Sequence, residues 1–283
     1  MIEVLRAGAL TTVQDLGRPG YAHLGVPRSG ALDRPALTLA NRLVGNPEQA
    51  AGLEITLTGC VLRCTVASTV AVTGAPARVW IGDRPGDCGR PLAVPAGAQV
   101  QIGPAETGLR SYLAVAGGVA VEPVLGSRAT DTLSGLGPAP LRDGDRLPLG
   151  PVTGAPAPVD FTPTGPPPGD RIRLRVHLGP RHDWFTATAI DRLLRTAYTV
   201  SPVSNRVGAR LTGATLPRAV AGELPSEGLV LGAVQVPADG QPLIFLADHP
   251  TTGGYPVIAV VDDPTPLAQA RPGTIVRFHG PQR

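Results

Sequence analysis

Lysine is absent from this 283-residue sequence: all 25 positive side chains are arginine, set against 22 acids. That absence removes whole kinds of chemistry, because a Schiff base, a biotinyl-lysine, a Walker A lysine and a kinase strand lysine all need the amine. Any nucleotide is therefore held by other groups. Cysteine is nearly as scarce, with three in the chain, and aromatics make up 4%. Cys60 and Cys64 alternate on one strand face in TGCVLRCTV, where four residues of extended chain separate them by about 13 Å, too far for a disulfide. No Cys or His cluster stands nearby, so no metal is expected and both thiols read as buried. A net charge of +3 without any arginine block is a weak footprint for nucleic acid. No apolar run approaches the roughly 18 residues of a membrane span, and MIEVLRAGALTTVQD lacks the layout of a signal peptide. A soluble, cytoplasmic protein with neither membrane nor nucleic-acid partner is expected. Also missing are a G-x-S-x-G elbow, HExxH and EF-hand patterns. GLGPAPL and TTGGYP are glycine loops with no helix pattern behind them, which excludes the Rossmann and P-loop contexts.

What is present is glycine, proline and short apolar runs. The 36 glycines and 32 prolines are spread along a chain that is 42% hydrophobic, which fits a many-turned globular protein. Two helices are legible. Asp33-Arg34-Pro35 supplies a cap and a first-turn proline before Ala36, Leu37, Ala40, Leu43 and Val44, and Gly45-Asn46-Pro47 stops the run. A second is expected over Asp183–Ala197, with Phe185, Ala189, Leu193, Leu194 and Ala197 on one face. The rest reads as strand and turn: IRLRVHLG alternates Ile172, Leu174, Val176 and Leu178 against Arg173, Arg175 and His177, and CVLRCTV, ARVWIG, QVQIG, SYLAVAGG and TIVRF are similar. Seven prolines lie between Pro151 and Gly169, a linker composition. The chain is therefore expected to be mainly β, in two β-rich lobes, residues 1–150 and 170–283, joined by a proline-rich linker over 151–169.

Polar residues gather in a few places. Gln14-Asp15-Leu16-Gly17-Arg18 is followed by GVPRSGALD with Arg28, Ser29 and Asp33, where Asp33 reads as a helix cap or as part of a site. Gly126–Asp131, GSRATD, reads as a turn with a surface arginine. Asn205-Arg206 either caps the following strand or offers a fork of donors to a carboxylate or phosphate. The densest cluster runs from Ser226 to Tyr255. There Gln235 points opposite to Val234 and Val236, the buried-type run LIFLAD ends in Asp248, and Thr251-Thr252-Gly253-Gly254-Tyr255 form a glycine loop able to approach a ligand. Glu227, Gln235 and Asp248 between apolar strands call for a partner or a function, since a lone buried polar group is costly.

TTVQDLGRPGYAHLGVPRSGALD, GLEITLTG, YLAVAGG, GSRATD, SNRVGARLTG, PSEG, GAVQVP and TTGGYP, in this order over nearly the whole chain, resemble the KipA family. That family is also described as the C subunit of 5-oxoprolinase, as allophanate hydrolase subunit 2 or as a biotin-dependent carboxyltransferase family protein, and is similar to half of the carboxyltransferase domain of urea carboxylase. The resemblance implies two cyclophilin-like lobes, a KipI-type subunit as partner, and a LamB/YcsF-type subunit in addition for 5-oxoproline cleavage. It places the site on Ser29, Asp33, Asn205, Arg206, Ser226, Glu227, Gln235, Asp248, Thr252, Gly253, Gly254 and Tyr255. Where relatives carry a basic residue directly after TTGGYP, this chain has Val257.

The activity implied is ATP-dependent opening of 5-oxo-L-proline to L-glutamate, shared among three subunits, with ATP bound together with the partners. Arg206, Gln235 and the Thr252-Gly253-Gly254 backbone would serve as donors, and Glu227 or Asp248 as base. Two other functions fit the same resemblance. One is carboxyl transfer to urea or a similar small amide, with biotin supplied on another protein; the other is regulation by binding a KipI-type partner.

Overall fold

The computed structural model describes residues 1–162, 167–222 and 224–280. The protein is mainly β, at 35% strand and 11% helix, well below the roughly one-third helix of an ordinary globular domain. No helix among the described residues is long and apolar enough to cross a membrane. The chain divides into two compact units. One comprises Met1–Arg18, Ser29–Asp131 and Gly135–Pro167; the other comprises Pro19–Arg28, Thr132–Ser134 and Pro168–Arg283.

The first unit contains β1 (Ile2–Arg6), β2 (Leu10–Gln14), β3 (Gly52–Thr56), β4 (Cys60–Cys64), β5 (Ser68–Gly74), β6 (Ala77–Ile81), β7 (Arg84–Gly86), β8 (Leu92–Val94), β9 (Gln99–Ala105), β10 (Arg110–Val115) and β11 (Arg146–Leu147). They form two sheets, ordered β11-β1-β4-β9-β6-β7 and β2-β3-β10-β5-β8. Period-two alternation sends Ile2, Val4, Cys60, Leu62, Cys64, Val100 and Ile102 inward, onto Leu53, Ile55, Val70, Val72, Leu113 and Val115. Both strand cysteines are buried and free. Helix α1 (Arg34–Leu43) covers the other side of the second sheet, packing Ala40 and Leu43 on Ala71 and Ala114. With both faces covered, every residue of β10 is buried, the polar Arg110 and Ser111 as well as the apolar run from Leu113 to Val115.

The Asp33 carboxylate caps α1, its Oδ1 accepting from the Ala36 N–H at 3.0 Å. The second helix starts later than its spacing predicts. Residues His182–Trp184 form a 3-10 turn, Phe185 is extended and bridges to Arg218, and α2 (Ala187–Arg195) begins behind Thr186, whose Oγ1 accepts from Ala189 N–H. Phe185 joins the core from a strand-like position, so its apolar character imitates helical periodicity.

The expected linker over 151–169 behaves differently along its length. Residues 151–162 run against the first unit: Ala157 N–H donates to Leu43 O at 2.9 Å and Thr162 N–H to Gly89 O at 3.1 Å. A Cβ on Gly45, which has φ +76°, would stand 2.4 Å from Ala155 O, so this contact requires glycine. Residues 163–166 lie outside the described residues.

The second unit contains β12 (Arg171–Leu178), β13 (Ala197–Val200), β14 (Gly208–Thr212), β15 (Glu227–Gly228), β16 (Ala233–Gln235), β17 (Leu243–Phe245), β18 (Thr252–Gly253), β19 (Val257–Val261) and β20 (Ile275–His279). Seven of them close a barrel in the order β12-β19-β16-β17-β14-β13-β20, and β15 pairs with β18 outside it. The seam is the parallel pairing of β12 with β20. Leu229, Ala233, Phe245 and Val257 pack together in this unit.

Candidate functional site

The segment after β14 supplies most of the chemistry. Glu227 begins the two-residue strand β15 and sits opposite Gly253 of β18. Thr252 and Gly253 are therefore part of a ladder, where the sequence pattern suggests only a glycine loop. Glu227 takes a two-pronged contact from Arg181: Nε donates to Oε1 at 2.9 Å and to Oε2 at 3.0 Å, and Nη2 also donates to Oε1. These bonds hold the Glu227 carboxyl below its ordinary range and push Arg181 upward. The pair remains about one-third exposed, at 36% and 32%.

Beneath this rim lies Gln235. A bulge shifts the β16–β19 register between Val234 and Gln235 and sets Gln235 opposite Val257. Its Nε2 donates to Tyr255 O at 2.8 Å, and the side chain is buried. A Cβ on Gly253 would meet Gln235 Nε2 at 2.9 Å and Leu229 Cδ1 at 2.8 Å, so glycine lets the loop settle onto the amide. Tyr255 is exposed, and its ring lies under the Arg218 guanidinium at 5.9 Å. Arg218 also donates from Nη2 to Val236 O at 2.8 Å and lines a cleft of about 460 Å³ with Thr215, Gly222 and Asp239. Ser226 is exposed beside Glu227.

Arg206 and Asp248 form a separate pair, with one donor to each carboxylate oxygen and in a different setting. Arg206 Nε donates to Asp248 Oδ2 at 2.9 Å and Nη2 to Oδ1 at 3.0 Å, with both side chains at 1% exposure or less. Thr132 adds its N–H at 2.9 Å and its hydroxyl at 2.7 Å to Oδ2. Asp248 is thus held as a carboxylate by charge-assisted bonds, a geometry suited to positioning rather than to taking a proton from water. Asn205 serves the strand: its Oδ1 accepts from Val207 N–H at 2.9 Å and Gly208 N–H at 3.3 Å at the start of β14. Both readings of the Asn205-Arg206 pair are realised, one by each residue, with a protein carboxylate in the fork.

In the first unit, two polar strings far apart in sequence meet. Asp15 accepts from Ser127 Oγ at 2.7 Å, Arg128 N–H at 2.6 Å and Gly17 N–H at 2.7 Å. Gln14 Nε2 donates to Thr130 O at 2.9 Å, and Ser29, with a left-handed φ of 54°, donates its hydroxyl to the same oxygen at 3.1 Å. Arg18 is buried and donates to the carbonyls of Val124 and Ala129, and its Nη1 has no partner among the described residues. Glu54 is a second buried acid. It accepts from Tyr112 Oη at 2.8 Å and Leu32 N–H at 3.0 Å, with Arg110 Nε at 3.4 Å. Burial, and then the Glu54 charge, push the Tyr112 hydroxyl well above its ordinary range.

Four residues of these networks escape the sequence pattern: Arg181, Thr132, Arg218 and Glu54. Arg181 stands 46 positions from Glu227 and belongs to no polar string. A lone acid in the middle of GLEIT was the only available signal for Glu54.

The profile of the carboxyltransferase domain, subdomain A and B, matches residues 24–280. The chain belongs to that family. It is similar to the 5-oxoprolinase C subunit of Escherichia coli (strain K12), with 41% identity over 286 aligned residues that cover 98% of this chain and 90% of that one. The crystal structure of TTHA0988 superposes with a TM-score of 0.89 at 38% identity, over 98% of this chain and 55% of that chain. Kluyveromyces lactis urea carboxylase superposes with a TM-score of 0.89 at 31% identity, over 98% of this chain and 27% of that chain. The chain thus spans most of a separate subunit, about half of TTHA0988, and about a quarter of urea carboxylase.

Proposed function

We propose that this family member is the C subunit of an ATP-dependent 5-oxoprolinase, opening 5-oxo-L-proline to L-glutamate with LamB/YcsF-type and KipI-type partner subunits in the cytoplasm. The observation that carries the reading is the end-to-end similarity to a protein named as the C subunit of 5-oxoprolinase, nine-tenths of whose length this chain matches. The geometry supports it. Amide resonance resists attack on the lactam, and ATP supplies the activation of its carbonyl oxygen. Glu227, ionised and oriented by Arg181, directs water toward the carbonyl carbon. The Gly253-Gly254 backbone brings N–H donors close to the substrate, and Gln235 fixes that loop through Tyr255 O. Arg206 and Asp248 keep the β14 and β17 ends in place. Among the described residues both α-helix N-termini carry their own caps, Asp33 and Thr186, and this reading has ATP bound together with the partner subunits.

Reconstitution tests the reading. The chain mixed with its two purified partner subunits, ATP and 5-oxoproline is expected to release glutamate, while the chain alone is not. Robust turnover by the isolated chain, or none by the mixture, would sink it. A second reading, carboxyl transfer to a small amide, is favoured by the superposition on urea carboxylase. Biotin would then arrive on another protein, since this chain has no lysine to carry it. Carboxybiotin-dependent carboxylation of urea by the mixture would select that reading.

A further inference from the structure

The alternation of β12 places Arg171, Arg173, Arg175 and His177 on the outside of the barrel, all exposed, and Ile172, Leu174 and Val176 inside. Its parallel neighbour β20 adds to the same face, because register pairs Arg173 with Arg277 and Arg175 with His279. Arg277 is exposed and His279 half-buried. Directly opposite residues on a sheet face stand side by side, so Arg173 and Arg277 repel each other. Asp262 meets Arg175 at 3.2 Å and His177 at 2.9 Å. Asp170 is an exposed acid immediately before β12. Arg171, Arg173 and Arg277 make no ion pair among the described residues. The protein as a whole is only slightly basic, at +3, so this is a local concentration rather than an average.

A row of like charges side by side on a rigid sheet does nothing for the fold. We propose that the outer face of β12 and β20 docks an acidic surface of a partner protein, with Arg171, Arg173 and Arg277 meeting its carboxylates. Charge complementarity is the argument, and the pattern of the patch selects the class of partner. Asp262 lies inside the patch and would oppose a continuous phosphate backbone, whereas a protein partner can present a cation to it. Among the described residues of β12 and β20 the face presents no Phe, Tyr or Trp for bases to stack on: Phe278, and Tyr198 of the adjoining strand, are buried with their rings 5.8 Å apart. Electrostatic docking of this kind accelerates encounter and fixes orientation, and it weakens with salt.

The docking face rests on reading the chain as one member of an assembly, and its test separates the two. Binding of the wild type to the purified KipI-type and LamB/YcsF-type subunits is measured by biolayer interferometry at 50 and 300 mM NaCl, beside the variant R171E/R173E and the control R78E/R84E in the first unit. The expected result is a wild-type Kd that weakens at least tenfold with salt, a loss of at least thirtyfold in R171E/R173E at low salt, and an unchanged control. The R173E change sets a carboxylate opposite Arg277, so the variant should melt at or above the wild-type temperature; if it does not fold, R171Q/R173Q takes its place. A wild type that assembles and a folded variant that binds equally well overturn the docking face and leave the subunit reading intact. A wild type that binds neither partner overturns both. Loss in the variant of binding to duplex DNA or phosphatidylserine vesicles, with partner binding unchanged, overturns the protein partner in favour of a polyanion.

Discussion

Two guanidinium–carboxylate pairs in the second unit, each made through Nε and Nη2, stand in opposite settings. Arg206–Asp248 is at 1% exposure or less, with Thr132 also donating to the carboxylate. Arg181–Glu227 stands at the rim, one-third exposed. Solvent decides what each can do. A buried pair cannot give up one partner without stranding a charge in low dielectric, so it acts as structure. A rim pair can exchange its arginine contact for water or substrate at small cost, so its carboxylate is free for chemistry. Arg18 in the first unit is a third case, a buried arginine with carbonyl partners and, among the described residues, no carboxylate.

Breaking the buried pair should have the largest effect. Asp248→Asn is expected to destabilise the protein by about 3–5 kcal/mol, read from denaturant unfolding. A shift below about 1 kcal/mol would show that solvent reaches Arg206 after all. At the rim, Glu227→Gln should lower the activity of the assembled enzyme by roughly 10²–10⁴-fold, the usual size of a general-base contribution, with the melting temperature nearly unchanged. Full activity would remove Glu227 from the mechanism. Arg18→Met sharpens the contrast among the arginines. Replacing a buried charge that has no carboxylate among the described residues by an apolar chain of similar length should leave stability level or raised, while Arg206→Met takes the guanidinium from the buried Asp248 carboxylate and lowers it. Equal losses from both would give Arg18 a structural role.

A smaller effect lies in pH. The depressed Glu227 pKa means its ion pair contributes stability that is complete above the ordinary carboxylate value of about 4.3 and is lost as pH falls through the lower folded value. Arg181→Met should move the acid limb of assembled activity to higher pH. An unmoved limb would assign it to another group. Smallest of all, the Cys60 thiol, pushed up to about 12 by burial, should resist thiol reagents at pH 8 in the folded chain. Rapid labelling would mean that the sheets of the first unit open readily.

Strand identity was legible wherever one face is buried, as in β12, because period-two alternation is a local signal. Helix α1 was legible to within a residue because its cap and proline are written side by side at Asp33-Arg34-Pro35. The start of α2 was not, since Phe185 is apolar for a tertiary reason, its burial in the core from an extended position that bridges to Arg218. Glu227, Gln235 and the glycine loop were recognisable as a cluster, and the structure joins them through Gly253 and Tyr255. Their division from Arg206–Asp248 was hidden, because burial of a pair depends on strand order in the barrel. Arg181 was hidden for the same reason. Glu227 and Asp248 differ little in sequence context, and only the fold makes one carboxylate a rim group and the other a buried strut.

The seam of the barrel bears on how the protein is made. β12 is the first strand of the closed sheet and β20 the last, and their parallel pairing joins Arg171 to Ile275 across roughly a hundred residues of chain, the kind of long-range contact whose closure entropy must be met before it yields any stabilisation. During synthesis β13, β14, β17 and β16 can pair with one another, while β12 keeps both edges open until β19 is made and one edge open until β20 is. The barrel therefore closes only once the C-terminal strand is available. A chain truncated before Ile275 should remain protease-sensitive throughout its second unit, while the first unit keeps its resistance.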